Sequence, residues 1–396
     1  MHAVARLPDE WKEALAARSE RPFRAQQIFK WIHARGVLDP AAMTDLAEPL
    51  RMWLAEEGVA AVAEEVTVHR STDATRKVLL RMGDGANIET VVIPANKREE
   101  DADGAVAEDE EEDGEEGAES GARVADDGAR RGGLPGKARG ETDRVTQCIS
   151  TQVGCAMGCV FCASGVAGLK RHLGAHEIVA QVYFGRRVLE PKEELRNIVL
   201  MGMGEPLHNY ESTARALKLL THPMGMNLSP RRITVSTSGL VPEIARLGAD
   251  FAGQIGLAIS LHAADDETRT RLMPVNRKYP LAELMAALRA YPLPKRRRIF
   301  IEYTLVSGKN DDIGEASRLA RLLRDVPVKI NLIPMNPIDA STLHAPGMDR
   351  VHAFQQRLID EGYTCFVRKR RGDDVSAACG QLALLGAKPK VKGFRA

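Results

Sequence analysis

Residues 154–165 read GCAMGCVFCASG. Three of the chain's six cysteines, Cys155, Cys159 and Cys162, fall there with the spacing C-x3-C-x2-C. The run before them, VTQCIST (145–151), is strand-like, so the cysteines follow a strand directly. Zinc is usually four-coordinate and often draws its ligands from paired C-x2-C units, and no fourth ligand is evident here. A structural disulfide would leave one thiol over. An iron–sulfur cubane held by three thiolates keeps one iron open, and an open iron can bind an α-amino carboxylate. Six cysteines in 396 residues are too few for a disulfide scaffold, and a cluster of them fits a reducing compartment.

Downstream of Arg144, strand-like runs alternate with amphipathic helical segments. The further strand candidates are NIVLMG (197–202), RITVSTS (232–238), QIGLAISLH (254–262), RIFIEYTLV (298–306) and VKINLIP (328–334), with TCFVRK (364–369) as a seventh. Such alternation predicts a parallel sheet. Six or so βα units without a Gly-rich dinucleotide fingerprint predict an α/β fold, a partial (β/α)6 barrel, whose chemistry gathers at the C-terminal ends of the strands. Polar residues interrupt the strands at those ends. Ser260 and His262 in AISLH lie two apart on one face, as do Ser236 and Ser238 in ITVSTSG. Gly204, Glu205 and Pro206 follow NIVLMGM, and Asn336 follows KINLIP. Each has an ordinary explanation alone, a capping serine or a satisfied core histidine. Their recurrence at four strand ends marks one mouth, which the cysteines share.

Residues 1–94 predict a small helical/β accessory domain. Pro8, Pro22 and Pro40 suit first-turn positions, Asp39 suits a cap, and Gly36 closes the run Phe23, Ile28, Phe29, Ile32 at helical spacing. The period then changes: VTVHR (66–70), RKVLLRM (76–82) and NIETVVIP (87–94) read as short strands, with the turn signal GDG at 83–85. Residues 95–144 form an acidic insertion with almost nothing to bury, expected to be disordered and tolerated because loop-closure entropy grows slowly with length. The barrel would span 145–386 and a basic tail 387–396.

The net charge of +1 conceals this division. Glu99 to Asp127 carry 15 acidic side chains against the single Arg123, leaving 54 basic and 39 acidic side chains elsewhere. That excess suits a polyanion such as RNA, with basic clusters at Lys295–Arg298, Arg368–Arg371 and Lys388–Arg395 as candidate phosphate contacts. The N-terminus has no apolar stretch fit for a signal peptide, and no window approaches the roughly 18 apolar residues of a membrane span. A cytoplasmic protein with no membrane partner is expected.

The cysteine spacing, with Phe161 just before the last thiol, resembles the fingerprint of the radical S-adenosylmethionine (SAM) enzymes. CISTQVGCAMGCVFC (148–162), GLKRHLGAHEIVAQV, MGMGEPL, STSG, ISLHA, NLIPMNP and RGDDVSAACGQLA (371–383) occur in order. With the upstream FRAQQIFKWIHARG and IETVVIP, they together resemble the dual-specificity RNA methyltransferases of the RlmN type over nearly the whole chain. The main departure is the acidic insertion, which separates Glu89 from Cys148.

The resemblance implies a 4Fe-4S cluster on Cys155, Cys159 and Cys162 with one open iron. It implies SAM, two per turnover, bound by Gly204, Glu205, Ser236, Ser260, Leu261, His262 and Asn336. The implied reaction methylates carbon 2 of an adenine in 23S rRNA and in certain tRNAs. That carbon lies between two ring nitrogens and is electron-poor, so it cannot displace a methyl from SAM as a thiolate would. In the family a cysteine, here Cys379, takes the methyl first. A 5′-deoxyadenosyl radical then removes hydrogen from it, and the carbon radical adds to the ring as a covalent adduct. Glu89 would accept the carbon-2 proton and Cys148 would break the sulfur–carbon bond, leaving a Cys148–Cys379 disulfide. The resemblance also implies an electron donor such as flavodoxin or ferredoxin, and a monomer. Relatives of the Cfr type use the same cysteines at carbon 8. A non-methylating radical SAM enzyme and a non-catalytic RNA-binding protein are the other readings. Cys365 matches no catalytic position and is expected in the core.

Overall fold

The computed structural model describes residues 2–95, 142–339 and 341–382. Nearly all of the expected acidic insertion, and the whole basic tail, lie outside the described residues. The strands are β1 (Ala63–Arg70), β2 (Arg76–Met82), β3 (Asn87–Pro94), β4 (Asp143–Cys148), β5 (Gln152–Val153), β6 (Arg171–His172), β7 (Glu193–Leu200), β8 (Ile233–Thr237), β9 (Gly256–Ser260), β10 (Ile299–Leu305), β11 (Val328–Pro334) and β12 (Cys365–Val367). Ten of them make one sheet in the order β1-β2-β3-β4-β7-β8-β9-β10-β11-β12.

From β4 to β12 every pairing in this sheet is parallel. The cause is visible in the connections: β7 to β8 and β10 to β11, for example, are bridged by the amphipathic helices Tyr210–Thr221 and Ile313–Leu322. Each buries a stripe of leucine and alanine, Leu217 and Leu220 in the first, Leu319 and Ala320 in the second. Such crossovers return the chain to the same end of the sheet, so all the parallel strands finish at one mouth. The strands are correspondingly apolar on both faces, as in the fully buried stretch GLAI of β9. A ten-strand sheet that ends on β1 at one side and β12 at the other is an open, partial barrel, as the alternation predicted.

The accessory strands are not a separate layer. β1, β2 and β3 pair antiparallel with one another, and β3 pairs antiparallel with β4, placing Val91 opposite Cys148. Sequence boundaries are close to the observed ones, with one informative difference: β4 stops at Cys148, because Ser150 and Thr151 already turn into the cysteine loop. The two-residue strands β5 and β6, which pair to close the base of that loop, carry too short a pattern to read.

In the N-terminal region Pro8 opens the helix Pro8–Ala16, and Asp39 caps the short turn Pro40–Ala42 by accepting the Ala41 N–H at 2.9 Å. Ile28, Phe29 and Ile32 are buried as their spacing predicts. Phe23 is 47 % exposed, because it precedes the helix Arg24–Phe29 and has no turn behind it to direct it inward. Pro22 likewise stands before that helix instead of in its first turn.

Arg76 on β2 is buried to 1 % exposure and donates to both carboxylate oxygens of Glu193 at the start of β7, at 2.6 and 2.7 Å, and to the Val188 carbonyl at 2.8 Å. This pair locks the accessory strands to the barrel. Removing the carboxylate would strand a buried cation. Glu193→Ala should cost about 3–5 kcal/mol, read as a lowered urea midpoint; a loss below about 1 kcal/mol would mean water solvates the pair.

Candidate active site

Three cysteines separated by three and two residues cannot face one point from a helix or a strand. The chain solves this with a closed loop. Gly154 adopts φ +76, and a Cβ there would lie 1.9 Å from the Gly168 carbonyl oxygen. Gly165, inside the short helix Ala163–Ala167, would meet the Cys159 amide at 2.9 Å. Glycine at both positions lets the strand-side and helix-side limbs touch. The Cys155 N–H donates to Gly168 O at 3.3 Å and the Cys162 N–H to Cys159 O at 3.4 Å.

Cys155 and Cys159 both feel the Cys162 thiol. Burial pushes Cys155 up to about 12, with Cys162 adding to it; burial drives Cys159 well up, reinforced by Cys155 and Cys162; burial also raises Cys162. Without a group to hold, all three keep their protons, so binding one must release them. Among the described residues no three His, Cys, Asp or Glu side chains are grouped to hold a single metal ion. A cubane asks something different, one thiolate on each of three separate irons.

The loop after β7 packs on this loop's base. Gly204 has φ +108, and a Cβ there would fall 2.8 Å from the Gln152 backbone nitrogen. The Glu205 N–H donates to Gln152 Oε1 at 2.9 Å. Glu205 is buried, accepts the N–H groups of Ser238 (2.7 Å) and Leu207 (3.1 Å), and has its carboxyl raised by burial; its charge reaches Cys155 and Cys159. Ser236 and Ser260 sit at the ends of β8 and β9, partly buried.

Leu261 is fully buried and continues the β9 pairing through its N–H to Glu302 O at 3.0 Å. His262, at φ +59, stacks edge-on with Phe161 of the cysteine loop, with centroids 4.7 Å apart. Its Nδ1 accepts the Thr304 N–H at 2.8 Å, so the ring proton is on Nε2, and burial, followed by Arg269, holds its pKa down to about 3. It stays neutral.

Asn336, just past β11, donates to the Cys379 carbonyl at 2.9 Å. The buried Ser238 Oγ faces the Glu205 carboxylate, whereas the Asn336 Oδ1 is buried without a hydrogen-bond partner among the described residues. Buried polar atoms are rarely left so. An orphaned acceptor at the mouth, on the residue that holds the Cys379 backbone, fits a polar ligand such as the amino-acid end or ribose of SAM.

Side chains alternate across a strand. Gln147 Nε2 donates to Thr90 Oγ1 (3.0 Å) and to Gln181 O (2.7 Å) of the helix Ala175–Arg187, so Thr90 and Gln147 face that helix. Glu89, Val91 and, opposite Val91, Cys148 therefore face the other way, into the barrel. Glu89 is 5 % exposed and its Oε1 lies 3.0 Å from Lys77 Nζ. Lys77 also donates to the Ser376 carbonyl at 3.4 Å. Lys77 was missed in the sequence; its only sign is a cation on the inward face of β2.

The segment carrying Cys379 is stitched on both sides. Asp374 accepts from Ser71 Oγ and the Thr72 N–H, and Asp73 accepts the Gly372 N–H at 3.0 Å. Across the mouth, the Ala163 N–H donates to Gly380 O at 2.8 Å and Ser164 Oγ to Leu382 O at 2.6 Å. Cys379 itself is exposed, whereas Cys148 is buried. Burial, then Cys379, pushes the Cys148 thiol up to about 12, and burial raises Cys162 with Cys379 adding to it; a Cβ on Gly380 would lie 3.9 Å from the Cys162 Cα, which sets the Cys379 segment against the cysteine loop. The expected Cys148–Cys379 disulfide is absent: all six cysteines are free thiols. A buried protonated thiol and an exposed one on a separately anchored loop are the reduced state. Cys365 is buried, as expected of a core position.

The basic clusters fare unequally. Arg368–Arg371 follow β12 at the mouth, but Lys295–Arg298 precede β10 and lie at the opposite end of the strands. Lys388–Arg395 lie outside the described residues. No helix among the described residues is long and apolar enough to cross a membrane.

Known proteins share this arrangement. The Radical SAM superfamily model matches residues 149–320, and that of the ribosomal RNA large subunit methyltransferase N-terminal domain matches 9–59. A dual-specificity RNA methyltransferase RlmN of Sorangium cellulosum is 69 % identical over 99 % of this chain and 98 % of its own length. The chain belongs to the RlmN family. A relative of the same name from Geobacter sulfurreducens is 43 % identical over 94 % of this chain and 89 % of its own. The crystal structure of a radical SAM methyltransferase from Sphaerobacter thermophilus superposes with a TM-score of 0.81, at 41 % identity, covering 96 % of this chain and 99 % of that one. The RlmN family thus has the radical SAM fold that the open parallel sheet displays.

Two outcomes are expected. Gly154→Ala should leave the barrel folded by circular dichroism yet lose most of its iron on anaerobic reconstitution, because the loop cannot close; full iron loading would show that closure is dispensable. In metal-free protein at about pH 8, iodoacetamide should label Cys379 first and Cys148 much more slowly, the latter accelerating as pH rises toward its pKa, by peptide mass spectrometry. Equal rates would contradict the burial of Cys148.

Proposed function

We propose that this chain methylates carbon 2 of an adenine in 23S rRNA and in certain tRNAs, with Cys379 as the methyl carrier. Cys155, Cys159 and Cys162 would hold three irons of a 4Fe-4S cluster, leaving the fourth open. Gly204, Glu205, Ser236, Ser260, Leu261, His262 and Asn336 would line SAM, two molecules of which are used per turnover. When bound, cluster and SAM would supply an electrophilic methyl, hydrogen-atom abstraction from it after one-electron cleavage, and an acceptor for the odd electron left on the ring adduct.

The remaining chemistry belongs to the chain. Cys379 is exposed and so accessible to both methyl donor and base, while Asn336 and the Asp374 clasp fix its backbone. Once the carrier carbon is joined to the ring, Glu89 takes the carbon-2 proton, a task that suits a buried carboxylate on the same inward face as Cys148. Cys148 then attacks the sulfur of Cys379; the sulfur–carbon bond breaks with its electron pair on carbon, which is protonated to methyl. The sulfur–sulfur bond so formed is transient: an external dithiol reduces it to two thiols before the next cycle and is itself oxidised to a disulfide. The observation that carries the reading is this pair of unlike thiols: Cys379 exposed on a segment tied to the cysteine loop by the Ala163–Gly380 hydrogen bond, and Cys148 buried on the inward face of β4.

The reading includes a flavodoxin or ferredoxin as electron donor, a cytoplasmic monomer, and Arg368–Arg371 at the mouth as contacts to RNA phosphate. It also keeps 1–94 as an accessory unit, 95–144 as an inserted spacer and 145–386 as the barrel. The test is digestion and mass spectrometry of RNA treated with reconstituted enzyme. A methyl on carbon 2 supports the proposal, and one on carbon 8 assigns the Cfr chemistry instead. Cys379→Ala should abolish methylation, and Cys148→Ala should accumulate protein crosslinked to RNA; full methylation by Cys379→Ala would overturn the carrier role.

A further inference from the structure

Two arginines are among the largest fully buried side chains, and they are solved differently. Arg76 has the bidentate carboxylate of Glu193. Arg269, in the helix Asp266–Leu272, is 0 % exposed and has no carboxylate within 4 Å among the described residues. Its donors go to neutral oxygens: Nε to Leu261 O at 3.1 Å, Nη2 to Ser238 O at 2.7 Å and Ser260 O at 3.4 Å, and Nη1 to Asn276 Oδ1 at 2.8 Å. Hydrogen bonds to carbonyls satisfy its N–H groups but leave its charge uncompensated. A buried cation in that state is costly.

The place of this charge is informative. Its helix packs under the cysteine loop: the Val160 N–H, between Cys159 and Phe161, donates to Leu272 O at 3.2 Å, and Val160 shares a small apolar cluster with Leu272 and Met273. The carbonyls Arg269 gathers belong to Ser238, Ser260 and Leu261, the strand ends where SAM would lie. Burial pulls its pKa down to about 10, opposed by Cys159 and by the exposed Asp266. At neutral pH it is a cation.

We propose that Arg269 is the built-in counter-charge of the iron–sulfur cluster, raising its reduction potential so that an external low-potential donor can reduce it. The inference rests on the reading of Cys155, Cys159 and Cys162 as cluster ligands. Three thiolates on a cubane give a net anion, and the electron passed from the donor to the cluster adds one further negative charge while the donor loses one electron. A fixed cation on the helix under the cysteine loop stabilises the reduced form more than the oxidised one, since net charge and hydrogen bonding set such potentials. It also lowers the cost of gathering three thiolates in a buried loop. Arg269 thereby acts through the cluster and is a positioning charge, not a catalytic residue.

The competing role is mechanical, a brace across the ends of β8 and β9, and two substitutions separate the roles. Arg269→Gln keeps amide donors and removes the charge; Arg269→Lys keeps the charge and loses most of the fork of hydrogen bonds. Wild-type and variant proteins, anaerobically reconstituted, are titrated with dithionite and followed by electron paramagnetic resonance, without SAM or RNA. Arg269→Gln should lower the midpoint by the equivalent of about a tenfold change in the reduction equilibrium, about 59 mV for one electron. Arg269→Lys should recover most of it. If Gln fails to retain iron while Lys retains it, the charge is needed to assemble the site, which also supports the inference. An unchanged midpoint in Arg269→Gln with full iron content overturns it, as does equal loss of iron in both variants, which assigns the brace. Absence of iron in the wild type would sink the cluster reading itself, a distinct result.

Discussion

The mouth of this barrel depends on the chain folding back on itself immediately after β4. Gly154 and Gly168 touch so closely that no side chain fits between them, and from that closure follow the convergence of Cys155, Cys159 and Cys162, the two-residue pairing of β5 with β6, and the platform on which the loop after β7 rests. Ser150 shows how tightly these parts are joined: its hydroxyl donates to the Glu89 carbonyl at 2.7 Å and accepts the Met203 N–H at 2.9 Å. One side chain ties the accessory sheet, the cysteine loop and the Gly-rich turn together.

The antiparallel pairing of β3 with β4 is the second constraint. Because a strand's side chains alternate, the register Val91 to Cys148 puts Glu89 and Cys148 on the inward face; a slip by one residue would turn both toward the helix Ala175–Arg187. The Arg76–Glu193 pair guards that register from β2 to β7, and the Thr90–Gln147–Gln181 chain guards it from the helix side. The long acidic stretch separating Glu89 from Cys148 in sequence therefore does not separate them in the sheet, since neighbouring strands hold the pairing whatever the connection does.

The strands were legible because their apolar runs are long and bounded by turn signals, and RKVLLRM, NIETVVIP and VKINLIP coincide with β2, β3 and β11. The cysteine loop was legible as a spacing. What could not be read were features that exist only between distant segments: Lys77 reaching Glu89 and Ser376, Asp374 clasping the Ser71 turn, and Arg269 gathering three strand-end carbonyls. Arg269 sits in DETRTRL, a charged helix that alone suggests a solvated face, and only the packing of Leu272 under Val160 buries it. Phe23 erred in the opposite sense, an aromatic in a helical pattern left outside because the helix begins after it.

Charge is distributed at this site by need rather than by pairing. Glu205 lies buried beside the thiols with its carboxyl raised, His262 is held neutral with its pKa down to about 3, and Cys148 keeps its proton with a pKa up to about 12. Burial is the first cause in all three, and it pushes each toward its uncharged form. Arg269 alone cannot follow, because a guanidinium holds its proton even when desolvated. Burial thus disfavours charge on Glu205, His262 and Cys148, whereas the Arg269 guanidinium on the helix under the cysteine loop stays a cation, a charge that suits an anionic group held by that loop.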